Sequence, residues 1–389
     1  MILRILVPLA LLLLLPVWGI DRISLRRRFG RQARVLFALP NIVLLLALAG
    51  MAINESYTAA ADVWKGRLLS FALCLIVPEV LTALLLLCSV PFNRIRPRLA
   101  RGCRRAAWGV GAVMFALMVC GSTFGYRHIV VKPFDYADAE IPEAFDGYRI
   151  VQLSDLHLGT LRGHADVVRD IVDKVNAERP DLVVFTGDIV NYRADELDVF
   201  ADELRRIRAK DGVVSVMGNH DYAQYFRWAS SDDSLADIRH LQNVQRGMGW
   251  RLLLNENIVL RRGNDSLAVV GVENDGLPPF PALADLPKAQ RGLREGCFKI
   301  LLSHDPTHWR RSVVPDTDIR LTLSGHTHGM QFKLGGFSPA SWFYPEWGGP
   351  YTEGRQTLYV SLGTGEVLIP FRVGAWPEVN VITLRRLRK

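Results

Sequence analysis

The 389-residue sequence is poor in cysteine and, over its first third, poor in acidic residues. Cys74, Cys88, Cys103 and Cys120 all precede residue 125, so the rest of the chain holds Cys297 alone and no internal disulfide can staple it. Residues 1–124 contain 15 of the 47 lysines and arginines but only 4 of the 39 aspartates and glutamates, which leaves 32 against 35 for the remainder. The net charge of +8 and the pI of about 9.4 therefore arise before residue 125. No basic stripe marks the later part, and a nucleic-acid partner is not expected.

Apolar sequence is abundant, and it is concentrated at the front. With 49% apolar residues and a mean hydropathy of +0.14, the chain is too apolar for one soluble domain. Four runs, residues 2–18, 35–53, 68–90 and 107–124, approach the ~20 residues that cross a hydrocarbon core as helix. The first competes with a signal peptide, since Arg4 precedes a leucine-rich stretch. Pro16-Val17-Trp18-Gly19-Ile20 offers no small-x-small cleavage site, however, and six arginines follow. Four transmembrane helices over residues 1–124 are the expectation.

Arginine placement predicts their orientation. Arg22, Arg26, Arg27, Arg28, Arg31 and Arg34 follow the first run, and Arg94, Arg96, Arg98, Arg101, Arg104 and Arg105 follow the third. Only Lys65 and Arg67 lie between the second and third. The positive-inside rule puts the arginine loops in the cytoplasm, and the N-terminus and everything after Phe124 outside. A multi-pass cell-membrane protein whose second half faces the periplasm or exterior is the result. Asn41 beside Pro40 and Glu79 beside Pro78 are polar residues inside these runs. They read either as part of a proton or headgroup path, or as a hydrogen-bonded pair near proline kinks that holds the bundle together.

Residues 125–147, with Pro133, Pro142 and Gly147, read as a linker, and residues 148–389 as an α/β domain. Five short blocks organise that domain: Asp155-Leu156-His157, Gly187-Asp188-Ile189-Val190-Asn191, Gly218-Asn219-His220-Asp221, Ser303-His304 and Gly325-His326-Thr327-His328. Each follows an apolar, β-branched run, at residues 148–153, 182–185, 213–217, 298–302 and 319–323. Such runs predict buried strands whose C-terminal ends carry the blocks, where open α/β sheets bind ligands. Between them, residues 165–178 and 194–210 carry apolar stripes at helical spacing, the first Val168, Ile171, Val172 and Val175, the second Leu197, Phe200, Leu204 and Ile207. Right-handed βαβ units are expected.

Aspartates, an asparagine and histidines offer oxygen and nitrogen ligands with no thiolate, a set that suits a pair of divalent Mn, Fe, Zn or Mg ions. One central carboxylate can bridge two such ions ~3.5–4 Å apart, as two-metal phosphoester hydrolases require. Phosphoryl chemistry is the leading expectation. Of the other histidines, His128, His164, His240 and His308 fall outside any ligand pattern.

The ordered series Asp155-x-His157, Gly187-Asp188, Gly218-Asn219-His220-Asp221, His304 and Gly325-His326-x-His328 resembles the signature of the calcineurin-like metallophosphoesterases. That resemblance implies a two-sheet α/β domain behind the four-helix transmembrane region. It also implies one metal held by Asp155, His157 and His328 and a second by Asn219, His304 and His326. Asp188 would bridge them, and His220, oriented by Asp221, would be the catalytic histidine. The Asp-Arg-Gly run of the phosphoprotein phosphatases is missing after Gly187-Asp188, which argues against a protein phosphatase.

The expected function is hydrolysis of a phosphodiester or pyrophosphate in an envelope or lipid-linked substrate by a membrane-anchored enzyme. The alternatives are a phosphatase for soluble monoesters or nucleotides, and a metal-binding sensor without turnover. Residues 222–250, which include Tyr225, Phe226 and Trp228, read either as a lid or as ordinary helix packing, and the proline-rich residues 277–287 as a further wall. Trp342-Phe343-Tyr344 and Trp347 to Tyr351 read either as interfacial rings or as core. The oligomeric state is not legible.

Overall fold

The computed structural model describes residues 2–53 and 59–388, and the middle of the second expected loop, residues 54–58, lies outside the described residues. It divides into two compact units, Met1–Phe124 with Ile369–Phe371, and Gly125–Leu368 with Arg372–Lys389.

The first unit is helical. Its long helices are Ile2–Ile23, Arg31–Ile53, Ala59–Ser89 and Pro97–Thr123, and four spans among the described residues are long and apolar enough to cross a membrane. The third helix starts well before residue 68, so Lys65 and Arg67 lie on the helix instead of in a loop. Three alanines at its start are strong helix formers, and no proline intervenes before Pro78. Leu11, Leu15, Trp18, Leu36, Leu46 and Leu84 are exposed, whereas Asn41, Ser70, Thr82 and Ser89 are buried. A water-soluble bundle has the reverse arrangement, so this unit is built for a lipid solvent. Asn41 Nδ2 donates to Glu79 Oε1 at 3.0 Å, the geometry of the pairing reading.

The second unit stacks two six-stranded sheets. The first has the order β1 (Val130–Asp138), β12 (Glu378–Arg386), β2 (Arg149–Leu153), β3 (Leu182–Phe185), β4 (Val213–Ser215) and β5 (Arg251–Leu252). The second runs β10 (Gly349–Glu353), β11 (Gln356–Val360), β9 (Leu321–Ser324), β8 (Phe298–Leu302), β7 (Asp265–Gly271) and β6 (Glu256–Arg262). Strands β2 to β5 are mutually parallel, as are β7, β8, β9 and β11. Each of these parallel sets delivers its loops to one end.

Ile150, Val184, Val214, Val269, Ile300, Leu302 and Leu323 fill the space between the sheets and are fully buried. Each such side chain contributes ~1.5–3 kcal/mol of burial free energy, so the loops are anchored on a rigid base. Helix Ala165–Ala177 covers the first sheet through Val168, Ile171, Val172 and Val175, the expected stripe.

Three expectations need correction. Residues 130–138 form β1 within the expected linker, paired in parallel with β12. Pro133 is tolerated there because β1 is an edge strand with one side free of ladder bonds. The helix expected over residues 194–210 is reduced to two single turns, Asp195–Asp198 and Ala201–Leu204. Glu196 is drawn inward there, where its carboxylate accepts the amides of Gly159, Asn191 and Tyr192. Residues 349–353, taken with an aromatic cluster, form β10, an edge strand against β11.

Candidate metal centre

All five blocks lie at C-terminal ends of strands. Asp155 and His157 follow β2, Asp188 follows β3, Asn219 to Asp221 follow β4, His304 follows β8, and His326 and His328 follow β9. The chain turns sharply at these points. Asp155, His157, Asp188, His326 and His328 have φ of 53°, 44°, 59°, 76° and 51°, left-handed values that cost a non-glycine residue on the order of 1–3 kcal/mol each. Fixed partners hold them there: the Asp155 amide donates to the Gly187 carbonyl at 2.9 Å, the His157 amide to the Asp188 carbonyl at 3.2 Å, and the His326 amide to Asp155 Oδ1 at 3.0 Å. Gly218 is required by close approach, since a Cβ there would lie 2.2 Å from Asp188 Oδ1.

These turns bring together the seven side chains expected as ligands. On one side, His157 Nε2 lies 3.0 Å from His328 Nε2, which lies 3.3 Å from Asp155 Oδ1. On the other, Asn219 Oδ1 lies 2.9 Å from His326 Nδ1 and 3.2 Å from His304 Nε2. Asp188 Oδ2 stands between, 3.1 Å from His304 Nε2 and 3.7 Å from His157 Nε2. All but His326 are under 5% exposed, so water cannot satisfy them.

Charge is poorly balanced in this cluster. Burial, together with the neighbouring His220, holds the His157 imidazole down at about 3, and burial lowers His326 to about 4 despite Asp305 nearby. Burial, His157 and Arg372 push His328 well below its ordinary range. Burial opposes charge on His304 as well, but Asp188 and Asp155 raise it to about 10. These shifts favour the neutral form of three of the four rings, with His157 and His328 meeting through Nε2 and His326 Nδ1 facing the Asn219 oxygen. Ligand atoms held ~2.1 Å from a common divalent ion sit ~3.0–3.4 Å apart, so the spacing and the neutral donors both fit metal coordination.

His220 stands apart from this set. Its Nδ1 lies 2.7 Å from the Asn191 carbonyl, which fixes that nitrogen as the donor and leaves Nε2 as the basic atom. His157, Asp188 and His220 each offer an atom within one 4.8 Å group. Tyr225 stacks on the His220 ring at 4.1 Å between centroids.

The expected orientation of His220 by Asp221 is not what the structure has. Asp221 turns away and accepts the amides of Gly218, Asp188 and Ile189, each at 2.9 Å, and that of Val190 at 3.3 Å. Adjacent residues in a tight turn project in different directions, so the backbone carbonyl of Asn191 holds the ring and the Asp221 carboxylate staples two metal loops together.

Residues 148–330 match the family model described as calcineurin-like phosphoesterase. The uncharacterized metallophosphoesterase YkuE of Bacillus subtilis (strain 168) is 30% identical over 292 residues, 71% of this chain and 94% of that protein. The chain belongs to the calcineurin-like metallophosphoesterases. A Danio rerio transmembrane protein with metallophosphoesterase domain is 31% identical over 255 residues, 64% of this chain and 55% of that protein. The counterpart in Bos taurus is 30% identical over 256 residues, 63% of this chain and 54% of that protein. The chain thus spans about half the length of these vertebrate relatives.

As a metallophosphoesterase the chain is a metal-dependent phosphoric ester hydrolase, and several residues around its centre had no motif to mark them. Tyr344 Oη lies 2.8 Å from His326 Nε2, and the Phe280 ring meets the His326 ring edge-on at 5.0 Å. The proline-rich loop therefore does wall the site. Of residues 222–250, Tyr225 reaches the centre and also takes a hydrogen bond from Asn219 Nδ2 at 2.8 Å, while Ser231–Gly247 is a helix packed through Leu241. Arg372 is fully buried and donates to the carbonyls of Leu362 at 2.7 Å, Ala375 at 3.0 Å and His328 at 3.3 Å, which locks the His328 loop. Nothing in the sequence around Arg372 distinguishes it from a surface arginine.

Proposed function

We propose that the chain is a membrane-anchored phosphoesterase with two divalent ions, one held by Asp155, His157 and His328 and the other by Asn219, His304 and His326. The position of Asp188 Oδ2 between the two sets carries this reading, because a shared carboxylate is what couples two ions into one catalytic unit. Ions held at these residues would supply positive charge toward the phosphate oxygens and acidity toward a water molecule. The protein's own residues do the rest. Strand ends and the Asp221 staple fix the ligands, Asn219 is aimed by Tyr225, and His220 presents Nε2 to protonate the leaving oxygen.

The substrate class we infer is a phosphodiester or pyrophosphate in an envelope or lipid-linked molecule, and the arginine loops support a catalytic unit facing the periplasm or exterior. The test uses the full chain in detergent, stripped of metal and reloaded with Mn, Zn or Mg, on a chromogenic phosphodiester and the matching monoester. Turnover that returns with metal and is lost in Asp188→Ala is the expected result. Two bound ions without turnover of either ester would overturn the reading in favour of a sensor.

A further inference from the structure

The loops that carry His326 and His328 continue into an exposed apolar rim. Trp342 is 72% exposed, Leu334 69% and Phe343 65%, and Met330, Phe337 and Leu368 are also exposed. These residues are one surface, not scattered ones. Leu334 and Phe337 exchange backbone hydrogen bonds at 2.9 and 3.1 Å, and the Phe337 ring lies 5.6 Å from Trp342. The Val367 amide donates to Gln331 Oε1 at 2.7 Å, which brings Leu368 beside the segment after His328. Phe343 is followed directly by Tyr344, whose hydroxyl meets His326. An apolar cluster of this kind is out of place against water.

The path of the chain into the catalytic unit identifies what covers it. The chain enters the catalytic unit at the end that carries the metal loops: β1 starts opposite Glu378 in β12, which runs antiparallel to β2 and pairs with it at Gln152. Gly125 sits so closely on Arg372 that a Cβ would lie 1.9 Å from the Arg372 carbonyl oxygen, and Arg372 holds the His328 carbonyl. Residue 125 comes two positions after the last apolar helix ends, and at ~3.3 Å per residue so short a connection keeps this end near the edge of the hydrocarbon. Tryptophan and phenylalanine beside a cation, here Lys333 over the Trp347 ring, are the residues that favour the headgroup layer.

We propose that this rim is a lipid-contact surface that seats the metal centre on the bilayer, so that the phosphoester it takes is one carried by a membrane lipid. The inference rests on the phosphoesterase reading for its substrate and on the rim alone for its membrane contact. Two measurements on the full chain in phosphatidylglycerol–phosphatidylcholine nanodiscs separate these. First, the difference between the tryptophan emission of wild type and Trp342→Phe isolates Trp342. Phosphatidylcholine brominated on its acyl chains should quench that difference at least twofold. Second, Trp342→Ser with Phe343→Ser should turn over a soluble chromogenic phosphodiester within twofold of wild type, while turnover of a fluorescent phosphatidylglycerol in the same disc falls at least tenfold. No turnover of either ester by any form, with quenching intact, would remove the phosphoesterase reading and leave the membrane contact. Difference emission indifferent to bromine would overturn the proposal, and a simultaneous change from dimer to monomer in the double variant would assign the rim to a second copy of the chain.

Discussion

The two units bury polar groups by opposite rules. In the helical unit many exposed side chains are leucines and aromatics, and Asn41 pairs with Glu79 between two long helices. In the catalytic unit the space between the sheets is filled by apolar side chains, and Asp155, His157, Asp188, Asn219, Asp221 and His304, all buried, are gathered at the C-terminal ends of strands. The difference lies in the solvent and in the number of partners. Around a lipid-facing bundle, polar contacts replace the hydrophobic drive that lipid removes, and they are few. Around the metal loops, buried charge is costly unless every group is paired or ligates an ion, so the site comes as a network.

If the network reading holds, its centre should be its most sensitive point. Asp188→Ala is expected to lose both bound ions, measured by elemental analysis of the dialysed protein, and to lower kcat by roughly 10³-fold or more. A variant that keeps two ions would break the idea that one carboxylate couples the sets. His220→Ala should keep both ions and lose ~10²–10⁴ in kcat on a substrate with a poor leaving group, with a smaller loss on a nitrophenyl ester, because only the former needs its proton. Equal losses on both esters would remove the acid role.

Asp221→Ala separates orientation from stapling. Four amides would lose their acceptor, and a cost of ~3–5 kcal/mol is expected in thermal unfolding of the catalytic unit, with metal affinity reduced. Were Asp221 instead the partner of His220, metal affinity would be unchanged and the pH profile of kcat would shift.

The same contrast explains how much was legible in the sequence. The motif blocks behind apolar strands were readable, because strand burial and block order are both local signals, and Asp155, His157, Asp188, His304, His326 and His328 lie close together. The apolar helices were readable from length alone, though the start of the third was not, since helix propensity extends past the apolar run. What escaped is what depends on long-range backbone contact. Asn191 serves His220 through its carbonyl, which no residue type encodes. Arg372 reaches His328 across 44 residues, and β1 finds β12 across the whole domain despite Pro133. The positive φ at five of the centre's residues likewise has no sequence mark, since none is glycine.

Buried charge in the catalytic unit also predicts a pH response. Glu366 is fully buried, neither carboxylate oxygen has a hydrogen-bond partner among the described residues, and Arg372 Nε is 3.8 Å away. Burial pushes its carboxyl up to about 8, only partly offset by Arg372. The folded state thus binds this proton more tightly than the unfolded chain. Its contribution to stability is complete below about pH 4.5, declines as pH rises and is gone above about pH 8. Melting temperature measured by fluorescence should fall over that window, as a stability contribution on the order of a few kcal/mol is lost, and Glu366→Gln should flatten the slope. An unchanged slope would mean that other groups carry the response.

The smallest effect is expected from the helical unit, and it is the sharper test of the comparison. Glu79→Gln keeps an acceptor for Asn41 Nδ2, whereas Asn41→Leu removes the donor and leaves Glu79 Oε1 without it. Hydrogen bonds between membrane helices are worth ~0.6–1.7 kcal/mol, because the separated helices also find partners. Glu79→Gln should therefore be near neutral in thermal unfolding in nanodiscs, and Asn41→Leu should cost about 1 kcal/mol, both with turnover of a soluble ester unchanged. A pair that merely joins helices behaves this way. Loss of lipid-ester turnover in Glu79→Gln, with stability and soluble-ester turnover intact, would instead make Glu79 part of a headgroup path and bring the two units under one rule.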